Sequence, residues 1–102
     1  MDGLTLRYEL RAGTTAVAVE GSIDADDCET LRDGLELALM LRRSGPVVID
    51  LDRVERLAVA ALMILREASA DARRGGRDMV LRNLHQERVT DPGSVRILAP
   101  TA

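Results

Sequence analysis

Three aspartates lie close together in the sequence, and their carboxylates are of the type that binds a cation or carries out acid–base chemistry. Asp24, Asp26 and Asp27 fall within four consecutive residues. Their spacing differs from that of a calcium-binding EF-hand loop, whose ligands recur at alternate positions. Aspartate is also favoured at a helix start, where its oxygens accept hydrogen bonds from free N–H groups and its charge suits the helix dipole. We therefore expect Asp24 or Asp26 to cap a helix, and we predict no metal site.

The one cysteine and the one histidine offer little for catalysis. Cys28 has no base nearby in the sequence, so we expect it to be a small core residue. His85 has no cysteine or carboxylate at a catalytic spacing, so we expect it on the surface. Asp50 and Asp52 follow an apolar strand, where α/β sheets often place sites, but no nucleophile, base and oxyanion donor accompany them. The residues predict a protein that is not an enzyme, with no catalytic residues and no cofactor.

The composition excludes several classes of protein. The chain has 102 residues and a net charge of −3, with one tyrosine, no phenylalanine and no tryptophan. Such a chain is poorly suited to binding nucleic acid. The longest apolar run, residues 57–65, is too short for membrane insertion, and the first residues do not resemble a signal peptide. We predict one cytoplasmic domain over residues 1–102. All 14 basic residues are arginine, a bias that we associate with bacterial genomes rich in GC.

Apolar and polar residues alternate from Leu4 to Leu10, which predicts a strand with one buried face. Ala12-Gly13 is typical of a tight turn, and residues 14–20 are predicted to form the antiparallel partner strand. Residues 21–24 are expected to leave that strand. Two further strands are predicted at residues 47–51, whose continuous apolar run indicates burial on both faces, and at residues 78–84.

Two helices are predicted from apolar residues at helical spacing. The first carries Cys28, Leu31, Leu35 and Ala38 on its inner face, and the second, over residues 59–74, carries Leu62, Leu65, Ser69 and Ala72. Ser44-Gly45-Pro46 and Gly75-Gly76 are expected to end them. The order β-β-α-β-α-β predicts an α/β sandwich, because strand–helix–strand units require a partly parallel sheet.

The C-terminal tail, residues 85–102, is expected to contain little regular secondary structure. Residues 85–90 favour one helical turn, residues 91–93 a turn and residues 95–98 a short strand.

Three segments, in this order and spacing, resemble the STAS domain family, which includes the bacterial anti-sigma factor antagonists. They are Gly21-Ser22-Ile23-Asp24, residues 47–54 (VVIDLDRV) and residues 75–81 (GGRDMVL). The resemblance implies a STAS-like sandwich, a mixed sheet of four to five strands with helices packed on one face. Members of the family usually finish with an amphipathic helix. Residues 85–102, which contain prolines and a glycine, depart from that pattern and are expected to form an atypical tail.

The functional motif of the family lies at the start of the second helix. It normally consists of an apolar residue followed by Asp-Ser-Ser-Gly-Leu, and a partner kinase phosphorylates the second hydroxyl residue. This chain has Leu57-Ala58-Val59-Ala60-Ala61-Leu62 at that place. By this resemblance Ala60 occupies the phosphoacceptor position, and it has no oxygen to accept a phosphate.

The resemblance implies a protein partner, which we expect to be an anti-sigma factor of the kinase type. The expected contact surface is an apolar patch at the start of the second helix, formed by Ala58, Val59, Ala60, Ala61 and Met63. The expected rim around it comprises Ser22, Asp24, Asp26, Arg53 and Arg56. The alternative for the patch is burial under a loop.

Two other functions remain open at this point. Some STAS-like domains are accessory subunits that bind the ATPase of lipid-exporting ABC transporters, and nothing in the residues separates that role from antagonism. The reduced tail also leaves a face open, which favours a homodimer or an oligomeric scaffold as a further alternative.

Overall fold

Six strands and two helices follow one another along residues 3–90, the part of the chain that the computed structural model describes. The strands are β1 (Thr5–Arg11), β2 (Thr14–Ile23), β3 (Val47–Asp50), β4 (Val54–Ala58), β5 (Met79–Arg82) and β6 (Val89–Thr90). The helices are α1 (Cys28–Leu41) and α2 (Val59–Arg74), with short 3-10 turns at Ala25–Asp27 and Gln86–Arg88. The predicted mixed α/β fold is confirmed, with six strands in its sheet instead of four to five.

β1 and β2 form the antiparallel hairpin that the alternation predicts. Gly13 in the connecting turn has a φ of 76°, a left-handed conformation that glycine adopts without strain. Tyr8 lies opposite Val17, which is fully buried, so this face of the hairpin points towards the helices. Arg7 and Glu9 consequently lie on the opposite face of the sheet.

β2 is the strand on which the rest of the sheet is built. It pairs in parallel with β3 through residues 15–18 and with β4 through residues 21–23, with a bulge between Gly21 and Ser22. β5 pairs in parallel with β3, and β6 pairs in parallel with β4. The end of β2, the end of β4 and β6 therefore lie side by side where α2 begins.

The core is aliphatic, as a chain without phenylalanine or tryptophan requires. Leu31, Leu35 and Ala38 of α1 are buried, as predicted, and so are the inner residues of α2. Ser69 is the exception on α2, since it is half-buried and its hydroxyl donates a hydrogen bond to the carbonyl oxygen of Met79 at 2.5 Å. The fully buried residues of the strands include Val17, Val19, Ile23, Val47 and Ile49.

α1 lies close against β1 because one of its residues has no side chain. Gly34 is buried, and Tyr8 Oη donates a hydrogen bond to its carbonyl oxygen at 2.8 Å. A Cβ atom at position 34 would overlap Cδ1 of Leu6. Partial burial raises the pKa of Tyr8 above its ordinary value. Steric contact and the phenolic hydrogen bond together set the distance between the helix and the strand.

Arg77 connects the segment after α2 to the end of α1. Its Nη1 donates to the carbonyl oxygen of Leu39 at 2.8 Å, while Nε and Nη2 donate to that of Gly45 at 3.1 and 2.9 Å. Leu39 belongs to the last turn of α1, where carbonyl groups lack partners within the helix. One guanidinium group therefore stabilises both the helix end and the turn that follows it.

The strand boundaries correct several expectations. β2 continues to Ile23, because its residues 21–23 pair with β4 beyond Glu20, where the pairing with β1 ends. The sequence gives no sign of β4, since its buried residues Val54 and Leu57 are three apart and do not alternate. Val48 is only half-buried, so β3 is not buried on both faces. Leu10 is 50% exposed and does not join the buried face of β1.

The remaining differences concern segments between the elements. A 3-10 turn, Ala25–Asp27, precedes α1, so Asp24 adjoins this turn and not the helix itself. The predicted turn within residues 85–90 exists as Gln86–Arg88 and leads into β6, which was not predicted. The turn at residues 91–93 and the strand at residues 95–98 lie outside the described residues.

Replacement of Gly34 by alanine is expected to destabilise the fold, although alanine is the better helix former. Overpacking against Leu6 costs about 1–3 kcal/mol, whereas the gain in helix propensity is at most about 1 kcal/mol. Urea unfolding of both proteins measures the difference. In a Leu6→Ala background the space is available, so the same substitution should cost much less. An equal cost in the two backgrounds would contradict the close contact.

Candidate functional site

α2 begins directly from β4, with no loop between them. β4 ends at Ala58 and α2 begins at Val59. Leu57 is buried and lies between Ile23 of β2 and Val89 of β6 in the pairing register. Two neighbouring strands and a core side chain therefore fix the position of the helix start.

The first turn of α2 has no capping side chain. Ala58 is extended, with φ −63° and ψ 145°, and makes no side-chain hydrogen bond to the helix. The first N–H groups of any α-helix lack acceptors within the helix, and this end carries the positive part of the helix dipole. Alanine offers no oxygen to these groups, so they are available to water or to the polar atoms of a partner.

Three apolar side chains surround this helix start, and we call Val59, Ala60 and Met63 the tip surface. Val59 is half-buried, Ala60 is exposed and Met63 is 64% exposed. Val59 and Met63 are four residues apart, so they are neighbours on the surface of the helix. Methionine is flexible and polarisable, which suits contact with another protein.

Two residues of the expected contact surface and rim lie in the interior. Ala61 is fully buried, and Ser22 is 9% exposed. Ala61 follows the helical periodicity into the core, and Ser22 lies on β2 opposite Arg56. Their burial corrects the expectation that they meet a partner, because neither presents a side chain at the surface.

The other rim residues divide between the two ends of β4. Asp24 and Asp26 are exposed at the 3-10 turn that packs beside α2, and Arg56 is exposed near the end of β4. Arg53 precedes β4 and is five residues from Ala58, about 16 Å away at the usual rise along a strand. Asp24 and Asp26 therefore lie at a turn beside α2, whereas Arg56 follows the alternation of β4 to the face opposite Leu57 and Arg53 lies farther away.

Asp50 organises the turn that leads into β4. Its Oδ1 accepts hydrogen bonds from the backbone N–H of Asp52 at 3.0 Å and from Asn83 Nδ2 at 2.9 Å. The hydrogen bond from Asn83 is the main reason that the pKa of Asp50 lies below its ordinary value. The Asp52 N–H and the charges of Arg82 and Arg53 lower this pKa further, while partial burial opposes them.

The segment after β5 holds the same turn from the other side. Arg88 Nη1 donates to the carbonyl oxygens of Asp52 and Val54 at 2.9 and 3.0 Å. His85 Nε2 lies 3.3 Å from Asp52 Oδ1, so this histidine has the carboxylate neighbour that the sequence did not indicate. Within residues 3–90 the ionic contacts of His85 are with Asp52 and Glu87, and no nucleophile joins the group.

Sequence reasoning missed most of this polar network. An aspartate in a turn often accepts a hydrogen bond from the backbone N–H two residues later, and Asp50 does so with Asp52. Asn83 and Arg88 carry no such signal, because their partners lie more than thirty residues away. Among residues 3–90, no three or more His, Cys, Asp and Glu side chains are placed to hold a metal ion. Neither described helix has the length and apolar character to cross a membrane.

Acid should weaken the fold through Asp50. An aspartate in an unfolded chain has a pKa of about 3.9. The pKa of Asp50 in the folded chain is lower than this. Its contribution to stability is therefore complete above the pKa of the unfolded chain and is lost as the pH falls through the folded pKa. Urea midpoints measured between about pH 7 and 2.5 should fall less steeply at the acid end for Asp50→Asn than for the native chain.

Asp33→Asn, at an exposed position of α1, is the matched control for this measurement. The urea midpoints of this control should fall at acid pH as steeply as those of the native chain. If the urea midpoints of Asp50→Asn also fall as steeply as those of the native chain, the hydrogen bond from Asn83 does not stabilise the charged carboxylate.

The sequence profile of a family described as "Mlab, STAS domain" matches residues 6–91. The matched segment extends from β1 to the residue after β6 and includes the tip surface. No curated protein sequence matches the chain.

Several solved structures resemble this one. The STAS domain of an antisigma-factor antagonist from Rhodobacter sphaeroides has a TM-score of 0.64 at 21% identity, over 78% of this chain and 86% of that one. An anti-sigma factor antagonist from Mycobacterium paratuberculosis has a TM-score of 0.59 at 25% identity, over 96% and 77%. The phosphorylated form of the Bacillus cell fate determinant SpoIIAA has a TM-score of 0.63 at 9% identity, over 96% and 100%. These similarities confirm the sandwich fold.

Proposed function

Because the chain belongs to the STAS domain family described as "Mlab, STAS domain", we propose that it is a non-enzymatic interaction domain that binds an anti-sigma factor through the tip surface. Its structural relatives include anti-sigma factor antagonists from two bacteria. The proposed partner is an anti-sigma factor of the kinase type in the bacterial cytoplasm, and the proposed consequence is regulation of transcription.

The observation that carries this proposal is the apolar, exposed start of α2. Met63 is 64% exposed and Ala60 is exposed, beside helix N–H groups that no side chain caps. Asp24 and Asp26 are exposed at the turn that packs beside α2. An apolar centre with a polar rim is the usual arrangement of a protein–protein contact. The tip surface therefore supports binding and offers no group that could take part in a reaction.

The same residues support binding that phosphorylation does not switch. A phosphate in the first turn of a helix adds about −1.5 to −2 charges at pH 7 and would alter the contact there. Ala58, Val59 and Ala60 have no side-chain oxygen, so none of them can be phosphorylated. The proposed complex is consequently controlled by affinity and concentration alone at this site.

Val59→Asp should weaken the proposed complex. A carboxylate buried in the contact without a partner costs about 2 kcal/mol or more, roughly a thirtyfold loss of affinity. Calorimetry against the anti-sigma factor identified by affinity capture with this chain measures the effect. The fold should be preserved, because an acidic residue in the first turn of a helix is favourable.

Val80→Asp is the matched control, because Val80 is 47% exposed on β5, away from the tip surface. This variant should bind with nearly native affinity. Equal losses in the two variants would contradict the assignment of the contact to the tip surface. A collapse of the fold in Val59→Asp, seen by circular dichroism, would show that Val59 is a core residue and would also contradict it.

The native chain should gain no phosphoryl group when incubated with the kinase-type anti-sigma factor and ATP. Intact-protein mass spectrometry measures this directly. Ala60→Ser restores a hydroxyl at the position that corresponds to the phosphoacceptor and tests whether the partner kinase reaches it. Stoichiometric phosphorylation of the native chain would overturn the proposal that phosphorylation does not control this complex.

A second candidate is an accessory subunit that binds an ABC transporter ATPase through the same surface. The absence of a hydroxyl at the tip surface favours it, because a permanent subunit needs no device for release. Affinity capture followed by mass spectrometry separates the candidates. Recovery of an ATPase of this class in place of an anti-sigma factor would transfer the assignment to transport.

A further inference from the structure

β1 has one edge that no described strand covers. Residues 15–18 of β2 pair with both β1 and β3, so these two strands lie on opposite sides of β2. Within residues 3–90, β1 pairs only with β2. Its other edge is therefore a seven-residue row of backbone groups at the border of the sheet. Free edges of this length are templates for pairing with another strand.

The hydrogen bonds of β2 show which backbone groups of β1 point outwards. The N–H of Thr15 donates to the carbonyl oxygen of Pro46, on the side of β3. Since successive residues of a strand point their N–H groups to opposite edges, Ala16 and Ala18 point theirs to β1. Their opposite residues, Glu9 and Arg7, are consequently bonded to β2. The N–H and C=O groups of residues 6, 8 and 10 are left pointing away from the sheet.

The side chains of β1 are complementary to a second copy of β1 in one antiparallel register. A two-fold axis at Tyr8 places Leu6 opposite the partner's Leu10 and Arg7 opposite the partner's Glu9. Arg7 and Glu9 are exposed, with 68% and 62% of their side chains accessible. Opposite charges directly across a strand pair are stabilising, and like charges are destabilising.

Charge disfavours the two neighbouring registers. An axis at Arg7 would place this arginine opposite its own copy, and an axis at Glu9 would do the same for the glutamates. The register centred on Tyr8 pairs all seven residues of β1 and makes the charge contact twice. Existing ion pairs remain compatible with it: Arg7 bonds Glu20 at 3.2 Å, and Glu9 uses only Oε1 to bind Arg11, which leaves Oε2 free.

An apolar stripe on α1 accompanies this edge. Leu37, Met40 and Leu41 are 44%, 73% and 42% exposed, and their spacing places them on one flank of the helix. Arg42 Nη1 donates to the carbonyl oxygen of Arg11 at 2.6 Å, which ties the end of α1 to the end of β1. Leu10, itself 50% exposed, lies next to that end. Exposed apolar residues beside a free strand edge indicate a surface that a partner covers.

We propose that two copies of this chain form a symmetric dimer by antiparallel pairing of their β1 edges, centred on Tyr8. The sheet continues from one protomer into the next, the Arg7–Glu9 contacts fix the register, and the apolar stripes of the two α1 helices meet above it. The surface is separate from the tip surface, so the dimer leaves the proposed binding site of each protomer free. Its test does not involve the anti-sigma factor.

A charge exchange within β1 tests this dimer. Sedimentation of the full chain over a range of concentrations should give a monomer–dimer equilibrium. Arg7→Glu turns two attractive contacts into two repulsive ones and should raise the dissociation constant about tenfold or more. Glu9→Arg should do the same. The double variant Arg7→Glu/Glu9→Arg restores the opposite charges and should return the constant to within about threefold of native.

Amide hydrogen exchange supplies the second readout. The outward N–H groups of Leu6, Tyr8 and Leu10 should be protected at concentrations where the dimer prevails and unprotected after dilution. The inward N–H groups of Arg7 and Glu9, which are bonded to β2, should be protected at both concentrations and serve as the internal control.

Three results would overturn the proposal. One is a monomer at every concentration. Another is a dimer that responds to the single charge reversals but is not restored by the double variant. The last is protection of the outward amides in a monomer, which would mean that another part of the same chain covers the β1 edge.

Discussion

Backbone pairing along β2 is the interaction on which the other parts of this structure depend. Its first seven residues pair with β1 on one side, residues 15–18 pair with β3 on the other, and its last three residues pair with β4. β4 takes the place of β1 beside these last three residues, since both strands lie on the edge of β2 opposite β3. Because β4 continues directly into α2, the position of the helix start follows from the pairing of β2, and so does the direction in which the tip surface faces.

Polar contacts are concentrated away from the surface proposed to bind a partner. Asp50, Asn83 and Arg88 fix the turn before β4 through side-chain hydrogen bonds. The other end of β4 leads into α2, whose first turn has no capping side chain and is surrounded by apolar side chains. A rigid strand with a well-bonded beginning thus presents an apolar end. This arrangement limits the conformational entropy lost when a partner binds, which favours affinity from a small contact.

Local patterns in the sequence were sufficient for most of the fold. The alternation around Leu6 and Tyr8 predicted β1, the helical spacing of Leu31 and Leu35 predicted α1, and α2 was predicted at its observed bounds. β4 and β6 escaped prediction because they are short and their burial is decided by neighbours distant in sequence. The same reason accounts for Ser22, whose interior position follows from its pairing with β4, whereas the burial of Ala61 agrees with the helical spacing of Leu65.

Ala60 has a consequence for how a cell could control a complex formed at the tip surface. A side chain that cannot carry a phosphate gives the cell no rapid chemical means of release there. Occupancy would then follow mass action, so the amount of this chain relative to its partner would set a threshold. Control would pass to synthesis, degradation and competing binders, and the part of the response set by synthesis and degradation would be as slow as protein turnover.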